Sequence, residues 1–201
     1  MRGLVVVVLL LLWPAGGLAA ELGSIAALRG AVTVVRDGEP RAAEVGAALM
    51  TGDRVVTGAR GMALLQLRGG LTVTVARATE IVVGDVAPNP AQATLAAWLE
   101  LIGGLVRAVL TAPGGGADVR IETPLAVTSV RSTEWTVEHT GDHTAVFCRH
   151  GEVRIAAAGA TVTLAAGDGT DVRGDAPPTA PAAWGAPRVA DTLARSTLAT
   201  P

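Results

Sequence analysis

The chain has 201 residues, of which 50% are hydrophobic and 17% are charged, and its formal net charge at pH 7 is −2. Its 16 basic residues are all arginines and are scattered singly, which excludes the clustered basic face that nucleic acids and anionic membranes require. Cys148 is the only cysteine. An internal disulfide is therefore excluded, and the fold must be stabilised by its hydrophobic core.

The N-terminus has the three-part pattern of a secretory signal peptide. Arg2 precedes an aliphatic run at residues 4–12, and small residues at 18–20 end the pattern. This predicts a signal peptide over residues 1–20 that is cleaved after Ala20. The alternative is an uncleaved anchor, but the run is shorter than the roughly 20 residues that span a bilayer. We expect a periplasmic or secreted protein with no integral membrane insertion after cleavage.

Residues 21–173 are predicted to form one domain of short β-strands. The segment 30–35 alternates apolar and polar side chains, and the following Asp37-Gly38 predicts a two-residue hairpin turn. A second short strand at 52–58 lies between turn residues. Further strands are predicted at 118–122, 125–130, 134–138, 144–148, 153–156 and 161–165.

One hairpin has a register that the apolar pattern determines. Leu65 and Leu67 share one face of their strand, and Leu71 and Val73 share one face of the next. A two-residue turn would place these two rows on opposite faces of the sheet. A three-residue turn over 68–70 pairs Leu67 with Leu71 and Leu65 with Val73, so we expect this turn, with a glycine in the left-handed conformation.

Residues 91–110 fit two secondary structures. The apolar residues Leu95, Trp98, Leu99 and Ile102 have the spacing of one face of an amphipathic helix. Gly103-Gly104 argues instead for two strands, 98–102 and 105–110, that flank a glycine turn. We favour the strands.

Two segments of the chain look related. Gly30 opens an alternating strand that leads on to Gly52-Asp53, and Gly151 opens another that leads on to Gly167-Asp168. Glycine adopts a positive φ in such turns, and aspartate accepts hydrogen bonds from nearby backbone amides. The predicted fold is all-β and built from stacked short strands, either solenoid-like or a sandwich.

The C-terminal residues 174–201 differ in composition from the rest of the chain. They are rich in proline and alanine, which bury too little surface to order a segment alone. We predict a disordered tail. A short helix at 189–198 and contact of Trp184 with the domain are the alternatives.

The densest group of polar side chains is a candidate zinc site or nucleophile, formed by His139, Asp142, His143, Cys148 and His150. Its spacing matches neither of the paired patterns that identify zinc sites. Cys148 with His150 as its base would also need a third group and an oxyanion donor, and neither is evident. We expect turn residues and a buried cysteine.

Other candidate sites are weaker. Three carboxylates that are close in the sequence suggest calcium binding: Asp168, Asp171 and Asp175. The loop that contains them lacks the ordered series of ligands that a calcium site requires. The glycines at 114–116 lack the Gly-Lys-Ser/Thr ending of a phosphate loop. Aromatic residues are sparse, and Trp135 is expected in the core rather than on a binding platform. We predict no catalytic residue, no metal site and no cofactor.

Several short motifs lie along the chain: Thr123-Pro124, the segments 130–135, 151–155 and 164–168, and upstream Val45-Gly46, Gly52-Asp53 and Thr57-Gly58. In these motifs the chain resembles the FecR-like domain family. The resemblance covers roughly residues 23–173. Ser132 stands where the family usually has glycine, and Trp135 where it has phenylalanine.

The resemblance implies an all-β periplasmic domain that engages other proteins. In the iron-citrate signalling branch of the family, such a domain relays a signal from an outer-membrane receptor to a sigma factor. That branch has a cytoplasmic helical segment before its membrane anchor and a receptor-contacting domain at its C-terminus. We recognise neither in this sequence and expect no anti-sigma activity.

These inferences lead to a prediction of function. We expect a non-enzymatic, exported envelope protein whose FecR-like β-domain acts as a protein-interaction or scaffold module. The expected partner is another envelope protein, contacted through strand edges and turn loops, and nucleic acid is not expected. The alternatives are a cell-wall or polysaccharide-binding module and a membrane-anchored accessory of sigma-factor signalling. The sequence leaves the oligomeric state open.

Overall fold

The computed structural model describes residues 21–89, 94–111, 117–130 and 133–198. The predicted signal peptide, the glycines at 114–116, and Arg131 and Ser132 of the family motif lie outside the described residues. The described elements are β1 Glu21–Arg29, β2 Val32–Arg36, β3 Glu39–Ala42, β4 Ala48–Met50, β5 Arg54–Thr57, β6 Met62–Leu67, β7 Leu71–Val75, β8 Glu80–Asn89, β9 Thr94–Leu110, β10 Ala117–Glu122, β11 Val127–Val130, β12 Glu134–Thr140, β13 His143–His150, β14 Val153–Ala157, β15 Ala160–Leu164, β16 Asp168–Arg173, β17 Ala182–Ala183 and α1 Ala186–Arg195.

The strands form two sheets that share β9. The first sheet has the order β4–β1–β6–β7–β9–β12–β13–β16–β17. The second has the order β3–β2–β5–β8–β9–β10–β11–β14–β15. Every pair is antiparallel except β9 with β10. The predicted all-β fold of short stacked strands is confirmed.

One hydrophobic core is built from both sheets. Leu65 and Val137 come from the first sheet and Val55 and Ile155 from the second, and all four side chains are inaccessible to solvent. The alternation of apolar and polar residues along these strands turns one face of each sheet toward this core. The prediction that Trp135 is a core residue is confirmed, since it is 0% exposed.

Strand β9 passes from one sheet to the other at its glycines. Up to Gly103 it pairs with β8 in the second sheet, and from Gly104 onward it pairs with β12 in the first. The prediction of strands over 98–110 is confirmed. The predicted glycine turn is wrong, because Gly103-Gly104 redirects one continuous strand instead of reversing the chain.

The crossing requires glycine at position 104. Gly104 has a φ of 100°, and a Cβ built there would lie 2.6 Å from the Cα of Thr79. The hydroxyl oxygen of Thr79 accepts a hydrogen bond of 3.0 Å from the Leu105 amide, so the β7–β8 connection and β9 are held in direct contact. At Gly103 a Cβ would meet nothing within 4 Å.

The predicted hairpins form with the expected registers. Leu65 pairs with Val73 and Leu67 with Leu71, and Gly69, with a φ of 70°, occupies the intervening turn. Asp37 and Gly38 have φ values of 53° and 83° between the paired residues Arg36 and Glu39. Both φ values are positive, as a two-residue hairpin of this type requires.

The predicted relation between the segments that begin at Gly30 and Gly151 is present in the structure, but the glycine that ends the first segment differs from the predicted one. Gly30 and Gly151 each precede an edge hairpin of the second sheet, β2–β3 and β14–β15. After each hairpin the amide of a positive-φ glycine donates to the strand before the hairpin, Gly46 to Ile25 and Gly167 to Cys148. The equivalent of Gly167 is therefore Gly46, not Gly52.

The structure corrects the prediction of a disordered tail. Residues 174–198 include β17 and α1, and the ring of Trp184 stacks on Phe147 with a centroid distance of 5.1 Å. Composition alone predicts disorder because it ignores the surface that the domain offers. The outer face of the first sheet provides an aromatic ring at Phe147 and an open space at Gly169, where a Cβ would collide with Trp184.

The crossing of β9 makes a prediction about stability. We expect Gly104→Ala to lower the free energy of unfolding by roughly 2–4 kcal/mol, because the new Cβ meets backbone and the φ is unfavourable for alanine. Gly103→Ala is the matched control and should change it by less than about 0.5 kcal/mol. Denaturant unfolding of both variants provides the comparison. Equal effects at the two positions would contradict the role assigned to Gly104.

Candidate functional site

The polar cluster predicted as a candidate site is dispersed in the structure. His139 is buried, and its Nδ1 lies 2.9 Å from the Thr144 hydroxyl. His143 bonds instead to Asp171 through Nε2 at 2.7 Å. The side chain of His150 is 69% exposed and lies beside Glu134. In the part of the chain that the structure describes, no three such side chains are placed to hold a metal ion.

Cys148 is in an unreactive environment. Its side chain is fully buried in the core, and its Sγ lies 3.4 Å from the carbonyl oxygen of Gly151. Burial raises the pKa of the thiol to about 11, with smaller contributions from the negative charges of Asp168 and Glu152. The thiol is therefore protonated at neutral pH, which opposes nucleophilic chemistry.

Asp171, one of the three carboxylates considered for calcium, is instead bound by cations. Burial opposes its ionisation, but hydrogen bonds from Arg188 and His143 outweigh this effect and lower its pKa below the ordinary value. Arg188 donates from both terminal nitrogens, at 3.0 and 2.6 Å. Its guanidinium also lies 3.5 Å from the centre of the Trp184 ring. Asp171 therefore anchors the C-terminal segment.

A groove lies where β9 changes sheets. We call it the crossover groove; its volume is about 770 Å³. Five segments contribute its lining: the end of β5, the β7–β8 connection, the middle of β9, the β12–β13 turn and α1. The lining residues are Val56, Thr57, Arg77, Ala78, Thr79, Glu80, Ile102, Gly103, Gly104, Leu105, Glu138, His139, Thr140, Gly141 and Arg195.

Most charges around the crossover groove are already paired. Arg195 of α1 binds Glu138 with two hydrogen bonds of 2.6 and 2.8 Å, and Glu80 accepts from Arg54 at 2.8 Å. Arg77 is exposed, and none of the ion pairs found among the described residues includes it. The lining is formally neutral, with two arginines and two glutamates, and Arg77 is the lining charge for which the described residues provide no ion-pair partner.

The floor of the crossover groove is apolar and shaped by backbone. Ile102 is one of three large hydrophobic residues that are exposed in the described chain, at 37%. Gly103 and Gly104 next to it expose backbone without side chains. His139 contributes at the base, where burial lowers the pKa of its ring and keeps the imidazole neutral at pH 7. The lining thus combines the exposed apolar side chain of Ile102 with Arg77, which no carboxylate of the described residues pairs.

Comparison with known proteins identifies the family. The family model described as FecR protein matches residues 53–154, just over half of the chain. The chain belongs to the FecR protein family. This confirms the resemblance that the short motifs indicate, and the matched range contains most of the groove lining, with Arg195 of α1 outside it. No curated protein matches the chain.

Two solved structures share the fold of this FecR-family chain. Both are crystal structures of a candidate anti-sigma factor from Parabacteroides distasonis ATCC 8503. One has a TM-score of 0.58 at 15% identity and the other 0.56 at 16%. The matches cover 70% and 69% of this chain but only 64% and 62% of those proteins. At this identity the likeness concerns the fold alone.

The sequence did not indicate the crossover groove, because its lining comes from segments that are far apart in the chain. Gly103-Gly104 is the local signal at this place, and the sequence alone predicts a turn there. Among the described residues, α1 is too short and too polar to cross a membrane.

The environment of Cys148 gives a prediction about reactivity. A pKa of about 11 instead of 9.0 reduces the thiolate fraction at pH 7.5 about 100-fold, since each pH unit is a factor of ten. We expect the folded protein to react with a thiol reagent at least this much more slowly than the unfolded chain in guanidinium chloride, and increasingly fast as the pH approaches 11. Rapid modification of the folded protein at pH 7.5 would contradict burial and revive the nucleophile hypothesis.

Proposed function

We propose that this FecR-family chain is a non-enzymatic protein-interaction domain of the bacterial envelope, and that the crossover groove binds an extended, acidic segment of a partner protein. The observation that carries this proposal is the exposed Arg77, which forms no ion pair with the described residues, in the same groove lining as the exposed Ile102. Because the neighbouring carboxylates of Glu80 and Glu138 are occupied by arginines, a carboxylate from outside is the complementary group for Arg77.

The shape of the crossover groove favours an extended segment over a small molecule. The groove is partly open to solvent and includes the backbone of Gly103 and Gly104, which have no side chains, in its lining, so another backbone can approach closely. Alternating side chains of an extended peptide could contact Ile102 and Arg77 in turn. An enzyme would need a free base here. The ring of His139 is buried against Thr144, and the carboxylates of Glu80 and Glu138 are paired with arginines.

Export to the periplasm or beyond is part of the proposal and rests on the N-terminal sequence. Arg2, the aliphatic run at 4–12 and the small residues at 18–20 support a cleaved signal peptide. Cys148 is the only cysteine of the sequence, so the domain has no internal disulfide. Its stability therefore depends on its core and not on the redox state of the compartment.

A regulatory role in sigma-factor signalling is the second candidate. The fold shared with two structures described as candidate anti-sigma factors favours it. The chain spans less than two thirds of those proteins, so their whole activity is not transferred. The partner that the groove binds would separate the candidates: a receptor or membrane regulator supports signalling, and a structural envelope protein supports a scaffold.

The proposed function predicts a loss of partner binding when the charge at the groove is reversed. In crosslinking pull-downs from intact cells that express the tagged full-length chain, Arg77→Glu should abolish recovery of the dominant partner. The reason is that a glutamate would repel an acidic segment at close range. Arg68→Glu is the matched control, because Arg68 is also exposed but lies in the β6–β7 turn, outside the groove.

Two results would contradict the proposal. Equal recovery with both variants would show that the groove is not the binding surface. Retention of the wild-type chain on purified cell-wall material, with no protein partner, would favour the polysaccharide-binding alternative. N-terminal sequencing of the recovered chain also tests export, which predicts a start at Glu21.

A further inference from the structure

Each sheet has two edge strands in the described part of the chain, and three of these four edges are poor templates for pairing. The first sheet ends in β4, with three residues, and in β17, with two. The second sheet ends in β3, whose Glu39–Ala42 segment includes a proline and two charged residues. Short length, proline and charge are the usual means by which proteins protect a sheet edge.

The fourth edge, β15, has none of these protections. Its five residues, Ala160–Leu164, include neither a charge nor a proline, and two of them are exposed threonines. Strands of this composition, rich in β-branched residues, pair readily. Strand β15 is hydrogen-bonded only to β14 among the described strands, so its outer side is open.

The register of the β14–β15 hairpin determines which backbone groups point outward. Ala157 and Ala160 close a two-residue turn, and Ala158 and Gly159 within it have positive φ values of 49° and 75°. In such a hairpin the closing residues are a hydrogen-bonded pair, and bonded and non-bonded pairs alternate from there. The amide and carbonyl groups of Thr161 and Thr163 therefore face away from β14.

The row of outward groups ends after Thr163. The next amide in the series belongs to Ala165, which donates to the carboxylate of Asp168 over 3.4 Å. The free edge thus consists of two residues, Thr161 and Thr163, placed symmetrically about Val162. Two-fold rotation about Val162 brings Thr161 opposite Thr163 of an identical strand, where each pair exchanges two hydrogen bonds.

We propose that two copies of this chain associate by antiparallel pairing of β15 with β15, with Val162 on the two-fold axis. A second copy of the chain is the occupant that matches this edge. At this register the amide and carbonyl groups of Thr161 and Thr163 in one copy meet the same four groups of the other copy, and none is left unpaired. A two-fold, self-complementary contact is the commonest form of homodimer. The second sheets of the two copies then form one continuous sheet.

The side chains favour the same arrangement. Thr161 pairs with Thr163 of the partner copy on the outer face, and cross-strand threonine pairs stabilise antiparallel strands. Val162 is half-buried and packs against the core from the inner face, so pairing with its own copy would shield the part that stays exposed. No like charges meet across the axis, since β15 has none.

The equivalent hairpin in the same chain provides an internal comparison. Strand β3 occupies the position of β15 in the related segment, and Pro40 stands where β15 has Thr161, one residue beyond the strand's first. Pro40 pairs with Val35 at a non-bonded position, so its missing amide hydrogen is on the outward side. Proline at this position blocks one edge, and threonine leaves the other edge able to pair.

The first test uses engineered thiols in a Cys148→Ala background. In the proposed register two Val162→Cys residues would face each other with Cα atoms about 4.5 Å apart, within the range for a disulfide. Thr161→Cys is the matched control, since each copy of residue 161 lies opposite residue 163. The Cα atoms of residue 161 in the two copies would be about 8 Å apart, which is too far for a disulfide. We expect mild oxidation to give a covalent dimer with Val162→Cys and not with Thr161→Cys.

The second test measures association of the unmodified chain. Sedimentation equilibrium of the wild-type chain should show a weak, concentration-dependent dimer, as expected of a small interface. Thr161→Pro, which copies Pro40, should shift it to monomer, and Thr51→Lys, an exposed turn position away from β15, should leave it unchanged. Circular dichroism of Thr161→Pro confirms that the fold is retained.

The outcomes separate this proposal from its rivals. A monomeric wild-type chain at all concentrations, with no covalent dimer from Val162→Cys, would overturn it. Equal crosslinking of Val162→Cys and Thr161→Cys would also overturn it, because random collision would then explain the product. Arg77→Glu should dimerise normally, so a failure of the groove to bind a partner leaves this result unaffected.

Discussion

The fold depends on the close contact between Gly104 and Thr79, because this contact lets β9 run through both sheets. Only glycine fits at a φ of 100° against the backbone of Thr79, and the Thr79 hydroxyl then binds the Leu105 amide. Each half of the chain contributes about half of each sheet, and β9 joins them. Without this crossing, the two halves would expose apolar faces that the single core now buries.

The crossover groove is a consequence of the same contact. A strand that changes sheets leaves a gap between the β7–β8 connection and the β12–β13 turn, and Ile102 with its glycine neighbours forms the floor. The C-terminal segment completes the wall, because Trp184 stacks on Phe147 and the Arg195–Glu138 pair fixes the end of α1. The groove therefore combines the exposed backbone of Gly103 and Gly104 with Arg77, which pairs with no carboxylate among the described residues.

The sequence predicted what short-range chemistry decides. Asp37-Gly38 and the pairing of Leu67 with Leu71 follow from turn geometry and side-chain alternation, which act within a few residues. Gly103-Gly104 has the sequence pattern of a turn. Only the contact of Gly104 with Thr79, which is distant in the sequence, distinguishes the strand crossing from a turn. The side chains of the polar cluster are close in the sequence but apart in the structure: Cys148 is buried in the core and His143 pairs with Asp171. The order of the C-terminal segment could not be predicted from its composition, because it depends on the surface around Phe147 on which Trp184 stacks.

The most direct test of this account is native-state hydrogen exchange of the β9 amides on both sides of Gly104. If β9 unites the chain into one cooperative unit, the amides of Leu101 in the second sheet and Val106 in the first should exchange with the same opening free energy, close to that of global unfolding. A difference of more than about 1.4 kcal/mol, a factor of ten in exchange rate, would show that the halves open separately and would contradict the account.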